Sequence, residues 1–176
     1  MKLGLEPPDH AIGRSRGGLT SKLHVATDGK GRMLSAVLTA GNINDTTMMA
    51  ATLEQIRVPR NGKGRPRTRP DRVLADKGYT SRANREWLAK RGIKATIPEK
   101  SDQAANRKRK GSAGGRPPAF DAEAYKGRNV VERGFSQLKS WRGLAMRSDK
   151  TARNYMAAVQ IAASLAWLKA SFSNTP

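Results

Sequence analysis

The pattern of hydrophobic and polar positions predicts two strands early in the chain, over Lys22 to Thr27 and Met33 to Ala40. Asp28-Gly29-Lys30-Gly31 between them is a turn sequence, so the pair reads as an antiparallel hairpin. After Gly41, Asp45-Thr46 can cap a helix that carries Met48, Met49, Leu53 and Ile56 on one side and stops before Pro59. Residues 57–72 hold seven arginines and lysines among prolines and glycines, which predicts a solvated basic loop. Arg72-Val73-Leu74-Ala75 is a short apolar strand ending at Asp76-Lys77-Gly78-Tyr79. Ser81 then opens a helix through Trp87, Leu88 and Arg91 that Gly92 terminates, and Ile93 to Pro98 is a further strand. Strand, helix, strand in that order predicts a parallel βαβ unit. Residues 99–118 form a second basic segment, expected to be of low order, as an insertion or a mobile lid. Two helices close the chain, from about Asp121 to Trp141 and from about Ala152 to Ala170, the last apolar, alanine-rich and expected to pack in a core.

Charge changes this picture. The 176 residues suffice for one domain, but 34 Lys plus Arg against 14 Asp plus Glu leave a net +20, which calls for a polyanionic partner. The basic residues fall in Gly/Pro-rich loops and not along one face of an amphipathic helix, which favours nucleic acid over an anionic membrane. With no cysteine and only His10 and His24, a disulfide scaffold, a thiolate zinc site, a cysteine nucleophile and a histidine-rich metal site are excluded. Metal chemistry would have to run on carboxylates, which prefer hard cations such as magnesium or manganese. The first ten residues do not read as a signal peptide, and the apolar stretch from Tyr155 to Leu168 is interrupted and too short to span a bilayer. A soluble cytoplasmic protein, nucleoid-associated and without a membrane role, is expected.

The informative stretch is Tyr125 to Lys139. On one continuous helix Tyr125, Arg128, Glu132 and Lys139 would fall within roughly 60° of one another. Val131, Phe135 and Leu138 form an adjoining apolar stripe, so the helix could bury that stripe and hold a carboxylate between cations at its margin. Such a face suits a phosphate backbone and a metal ion together.

At this point the chain resembles the DDE transposases of bacterial insertion sequences, in the IS-five-like and IS-four-like superfamily. The spacing tyrosine, two residues, arginine, three residues, glutamate, six residues, lysine is the signature of that superfamily, and Tyr125, Arg128, Glu132 and Lys139 match it. Residues 11–22, with Gly13-Arg14-Ser15-Arg16-Gly17-Gly18, and the Ala75-Asp76-Lys77-Gly78-Tyr79 block agree as well. The resemblance runs from Ala11 to Leu168. It implies an α/β, ribonuclease-H-like mixed sheet with flanking helices. It also implies three carboxylates that hold two divalent ions, Mg2+ or Mn2+, for DNA cleavage and strand transfer at the element's ends. Asp76 matches the second carboxylate and Glu132 the third, as metal ligands and catalytic residues. Arg128 and Lys139 would contact phosphates, and Tyr125 would position or stack on the substrate strand. The partners implied are double-stranded DNA, both terminal inverted repeats and target, and further copies of the chain in a homo-oligomer.

The departure is the first aspartate. In the family it lies on a first, central strand upstream of the Gly-Arg-Ser-Arg-Gly-Gly stretch, where this chain has only Met1 to His10. Asp9 follows Pro7 and Pro8, and Asp28 sits in the hairpin turn, so neither replaces it. The expected division is a leader at 1–10, a partial catalytic domain at 11–170 with basic loops at 57–72 and 99–118, and a tail at 171–176. Activity would need an upstream segment; the alternative is an inactive, truncated transposase that only binds DNA. Taken singly, Asp76 could be a turn residue, Glu132 a helix-surface residue, Asp45 a helix cap and His24 a structural histidine. The run Arg107, Lys108, Arg109 and Lys110 is expected to bind phosphates without sequence preference. Trp87, Trp141 and Trp167 are expected to pack against helices or in the core.

Overall fold

The computed structural model describes residues 8–172. The first seven residues of the expected leader and positions 173–176 of the expected tail lie outside the described residues. In chain order the strands and α-helices are β1 Gly13–Ser15, β2 Gly18–Thr27, β3 Met33–Ala40, α1 Met49–Glu54, β4 Arg72–Leu74, α2 Arg82–Lys90, β5 Lys94–Thr96, α3 Ser101–Arg109, α4 Ala122–Lys126, α5 Asn129–Lys139, α6 Arg142–Met146 and α7 Ala152–Phe172. The fold is mixed α/β, with a three-stranded antiparallel sheet and a two-stranded parallel one. The chain divides into two compact units, Met1–Ile43 with Val130–Pro176, and Asn44–Asn129.

In the first unit β2 and β3 form the expected hairpin, in a register that sets Leu23 against Leu38 and His24 against Val37. The turn is built by Asp28. Its carboxylate accepts from the amides of Lys30 and Arg32, each at 2.9 Å, and from Arg32 Nε at 2.7 Å, while Gly31 takes a left-handed φ of 83°. Burial opposes ionisation of this carboxyl, but the bonds from Arg32 and Lys30 outweigh it and hold its pKa below the ordinary value. β1 adds a strand on the other side of β2, reaching only from Gly18 to Thr20. Leu144, Val159 and Ala162 form the core, with Leu23, Met33, Leu138 and Tyr155 packed against it. Trp167 on α7 donates its indole N–H to Met33 O at 2.8 Å, and Arg32 stacks over its ring. The amide of Ala152 at the start of α7 bonds Asp9 O at 2.8 Å, and Arg147 donates to His10 and Ala11 carbonyls, so residues 9–11 are fastened to this unit. The expectation that α7 is a core helix holds for only part of its surface, because Ile161, Leu165 and Leu168 are 62%, 44% and 53% exposed. Its alanines make it apolar all round, so periodicity could not tell the buried side from the open one.

The second unit contains the predicted parallel pair. β4 and β5 align Arg72 with Lys94 and Leu74 with Thr96, and α2 makes the crossover. Ser81 caps α2 by accepting from the Asn84 amide at 3.2 Å, and Gly92 leaves it at φ 63°. Leu88 and Ile97 are fully buried, and Met49, Leu53, Ile56 and Ile93 nearly so. Two expectations need correction at the start of this unit. The helix near Met48 begins as a 3-10 turn, Asp45–Met48, and its cap is Asn44, whose side chain accepts from the Thr46 amide. Asn44 has the extended ψ a cap requires, whereas Asp45 already lies inside the turn. Residues 57–72 remain largely exposed, pinched by a bridge between Val58 and Arg67.

Residues 99–118 are not the low-order segment expected. Ser101–Arg109 is the helix α3, and a 3-10 turn follows at Gly111–Gly114. Its Ala, Gln, Lys and Arg are good helix formers, and an ion pair from Arg107 to Glu99 at 2.8 Å ties it down. The predicted helix from Asp121 to Trp141 is also divided. Asp121 caps α4 and pairs with Arg72 at the start of β4, and α5 begins only after Gly127 and Arg128, whose amides bond three residues back at 3.1 and 2.9 Å. Gly127 keeps an ordinary helical φ of −64°, so the break is a tightening to three-residue bonding and not a left-handed turn.

Candidate functional site

Asp76 stands where the chain leaves β4. Val73, Leu74 and Ala75 are half-buried, the Ala75 amide still reaches Thr96 O at 3.4 Å, and Asp76 is the first exposed residue beyond. Its carboxylate accepts from the Gly78 amide at 2.6 Å and caps the 3-10 turn Lys77–Tyr79. A side chain at position 78 would begin 2.8 Å from Asp76 Oδ1, so the carboxylate would have to shift to admit one. One carboxylate oxygen is thereby fixed by the backbone, and the group faces solvent at the carboxyl end of a parallel strand, where α/β sheets present ligands.

Tyr79 connects Asp76 to a second carboxylate. Its phenol is pushed up to about 12 by burial first and then by the charges of Asp45 and Asp76, so both carboxylates lie within electrostatic reach of it. Behind them sits Asn84, 7% exposed, on α2. Its side-chain amide donates to Thr46 O at 2.9 Å, Thr46 Oγ1 at 3.2 Å and Tyr79 O at 3.1 Å. The neighbouring Arg85 donates to Thr80 Oγ1 and Ile97 O at 2.7 and 2.8 Å. Nothing in the sequence reading singled out Asn84. The available signal was its place four residues before Leu88, which puts an amide on the buried face of the helix.

Glu132 lies in the first turn of α5, exposed, where a helix N-terminus favours a carboxylate. Val131, Phe135 and Leu138 form the half-buried stripe, and Glu132, Ser136 and Lys139 the exposed side. Glu132 and Lys139, seven residues apart, project roughly 20° from each other. Lys139 ends the helix at the rim of a cleft of about 730 Å3 lined by Leu19, Leu23, Phe135, Leu138 and Tyr155.

The structure modifies the expectation of four signature residues on one helix. Tyr125 is on α4, Arg128 in the break, and Glu132 and Lys139 on α5. Within the second unit Arg128 lies 5.9 Å from the Tyr125 ring centroid, and Phe120 tilts against that ring at 5.2 Å. Arg107 is half-buried against Glu99 and Arg109 bonds Asn106 Oδ1 at 2.6 Å, whereas Lys108 and Lys110 are exposed. Asp76 belongs to the second unit and Glu132 to the first. Among the described residues, no group of three or more Asp, Glu or His side chains is gathered as a metal cage, and no helix is long and apolar enough to cross a membrane.

Comparison with known proteins gives a consistent result. Residues 5–167 match the family model described as the transposase DDE domain. A Burkholderia cepacia protein, named as a transposase for insertion sequence element IS402, is 36% identical over 151 residues, 86% of this chain and 61% of that protein. A Brucella ovis protein, named as a transposase for insertion sequence element IS6501, is 29% identical over 151 residues, 86% of this chain and 100% of that protein. The chain therefore spans less than two thirds of the first relative and the whole matched length of the second. No solved structure matches the chain.

Proposed function

The chain belongs to the transposase DDE domain family of insertion-sequence transposases, and on that premise we propose that residues 11–170 form the larger part of a catalytic domain that cuts and joins DNA at the ends of an insertion sequence. The observation that carries this reading is the setting of Asp76: exposed, at the carboxyl end of a parallel strand, with one oxygen fixed by the Gly78 amide. Glu132 is the second ligand we assign, presented from the start of α5.

The donor set fits a hard divalent cation in kind and is short in number. Asp76 and Glu132 are exposed carboxylates, the oxygen donors that Mg2+ and Mn2+ prefer, but no group of three is gathered among the described residues. When bound, such ions would neutralise charge on the attacking and leaving oxygens of a phosphodiester. Asp76 and Glu132 would hold them; Arg128 and Lys139 would neutralise flanking phosphates, Tyr125 would pack on the substrate strand, and Lys108 and Lys110 would hold the backbone farther out.

A ribonuclease-H-like sheet completed by an upstream strand is part of this proposal. That strand would also supply the first carboxylate. The expected partners are double-stranded DNA and further copies of the chain that pair two ends, in the cytoplasm at the nucleoid.

A second reading, DNA binding without catalysis, is favoured by the absence of a third carboxylate beside Asp76 or Glu132 among the described residues. Cleavage of a labelled terminal-repeat duplex in Mg2+ or Mn2+, by this chain and by the chain extended upstream, separates the two. Cutting by either form supports the enzyme, and salt-sensitive binding with no cutting by either supports the second reading.

A further inference from the structure

Asp76 and Asp45 sit on two short 3-10 turns, Lys77–Tyr79 with Asp76 as its cap and Asp45–Met48 with Asp45 as its first residue. Turns of one or two hydrogen bonds do not hold a side chain still by themselves. A carboxylate expected to ligate a metal needs a support that fixes its backbone. Asn84 has the geometry of that support. It lies on neither turn, it is 7% exposed, and its two N–H bonds are shared among Thr46 O, Thr46 Oγ1 and Tyr79 O. Thr46 is the residue after Asp45, and Tyr79 closes the turn that Asp76 caps through its own carbonyl, which accepts from the Tyr79 amide at 3.1 Å. α2 itself is fixed at both ends, by the Ser81 cap and by Leu88 in the core, so the amide is presented from a rigid element.

We infer that Asn84 is a positioning residue for the reaction: its buried amide locks the turn bearing Asp76 to the turn bearing Asp45, so that the Asp76 carboxylate is held for metal binding. This rests on the reading of Asp76 as a ligand. An amide suits the site because Thr46 O and Tyr79 O can only accept, and Thr46 Oγ1 accepts from it as well. Aspartate at position 84 has the same shape and no N–H to give, and it would set a negative charge against the carbonyl oxygens of Thr46 and Tyr79. Arg85 reinforces the lock from the next position, through Thr80 and Ile97, but reaches neither aspartate-bearing turn at the points Asn84 does.

The test measures Mn2+ binding to the full chain by electron paramagnetic resonance of the free ion, below the melting temperature of every variant. The variants are Asp76→Asn, Asn84→Asp, Thr46→Val and Leu88→Ala. Asp76→Asn asks whether the carboxylate binds metal at all. Asn84→Asp removes the donor, and Thr46→Val, a milder change that keeps the fold, removes one acceptor. Leu88→Ala loosens the same helix from its core without touching either turn.

We expect Asp76→Asn to abolish the site and Asn84→Asp to weaken Mn2+ about tenfold or more, the scale seen when a ligand's supporting hydrogen bonds are lost. Thr46→Val should weaken it less, and Leu88→Ala, which loosens the helix that carries the amide but keeps its N–H donors, should lower the melting temperature and weaken Mn2+ by less than Asn84→Asp does. DNA affinity measured in EDTA should be the same for the parent, Asn84→Asp and Thr46→Val. Parental Mn2+ affinity in both Asn84→Asp and Thr46→Val, or an equal loss in Leu88→Ala, would overturn the positioning role. Parental affinity in Asp76→Asn, or no binding by the parent with or without the upstream extension, would overturn the reading of Asp76 as a ligand and this inference with it.

Discussion

Gly134 on α5 rests on the backbone of Gly31 in the β2–β3 turn: a Cβ at position 134 would stand 2.9 Å from Gly31 O, closer than real side chains come. Position 31 is equally tight, where a Cβ would meet Val130 O at 3.0 Å and the φ is +83°. The helix that carries Glu132 is thus seated on the hairpin by a glycine contact on each partner. Gly134→Ala would gain up to about 1 kcal/mol in helix propensity. Forcing the two backbones apart costs about 1–3 kcal/mol. The clash is with a carbonyl and not with a flexible side chain, so the cost should win. We expect a lower melting temperature and weaker DNA cleavage, read by thermal unfolding and by a cleavage assay; a more stable Gly134→Ala would show that the helix sits farther from the turn.

The same turn should be acid-sensitive. Asp28 has its pKa lowered in the folded protein, since the Arg32 and Lys30 bonds outweigh the burial that opposes them. Its contribution is therefore present above the unfolded pKa, near 4, and lost as pH falls through the lower folded value. Asp28→Asn should cost about 1–2 kcal/mol at pH 7, and less as the pH is lowered below about 4. Melting curves of both proteins across pH 2–7 check this (~5 points suffice to see convergence).

Cations of the run from Arg107 to Lys110 should not contribute equally to DNA binding. Arg107 is committed to Glu99, whereas Lys108 and Lys110 are exposed. Each phosphate contact contributes about 0.9 to the slope of log affinity against log salt. Lys108→Ala with Lys110→Ala should flatten that slope by up to about 1.8, if each lysine meets one phosphate. Arg107→Ala should instead lower thermal stability and change the slope little. A salt titration of binding to a fixed duplex measures both.

Much of the second unit was legible in the sequence because its signals are local. Ser81 three residues before Asn84, Gly92 after the last helical turn, and Asp76 after three apolar residues each act through hydrogen bonds within a few positions. The hairpin was legible for the same reason, with Asp28 and Gly31 in its turn. What was hidden depends on distant partners. Arg107 orders α3 through Glu99, and Asn84 reaches Thr46, 38 residues away. The break at Gly127 was visible as a glycine, yet the signature spacing across it suggested a continuous helix. The open side of α7, with Ile161 and Leu165, could not be read from a helix apolar all round. For the proposed site, Asp76 and Glu132 stand out in the sequence by residue type and order, whereas Asn84, whose partners lie 38 and five residues away, does not.

The central claim is that Asp76 and Glu132 are ligands of a DNA-cutting site. Single-turnover cleavage of a labelled terminal-repeat duplex by the upstream-extended protein, in Mg2+ and in Mn2+, tests it most directly when Asp76→Asn and Glu132→Gln are compared with the parent. We expect each variant to bind the duplex with parental affinity in EDTA and to cut it at least about 100-fold more slowly, the scale set by loss of metal-borne charge stabilisation. Cleavage at the parental rate by either variant would remove that residue from the site and contradict the claim.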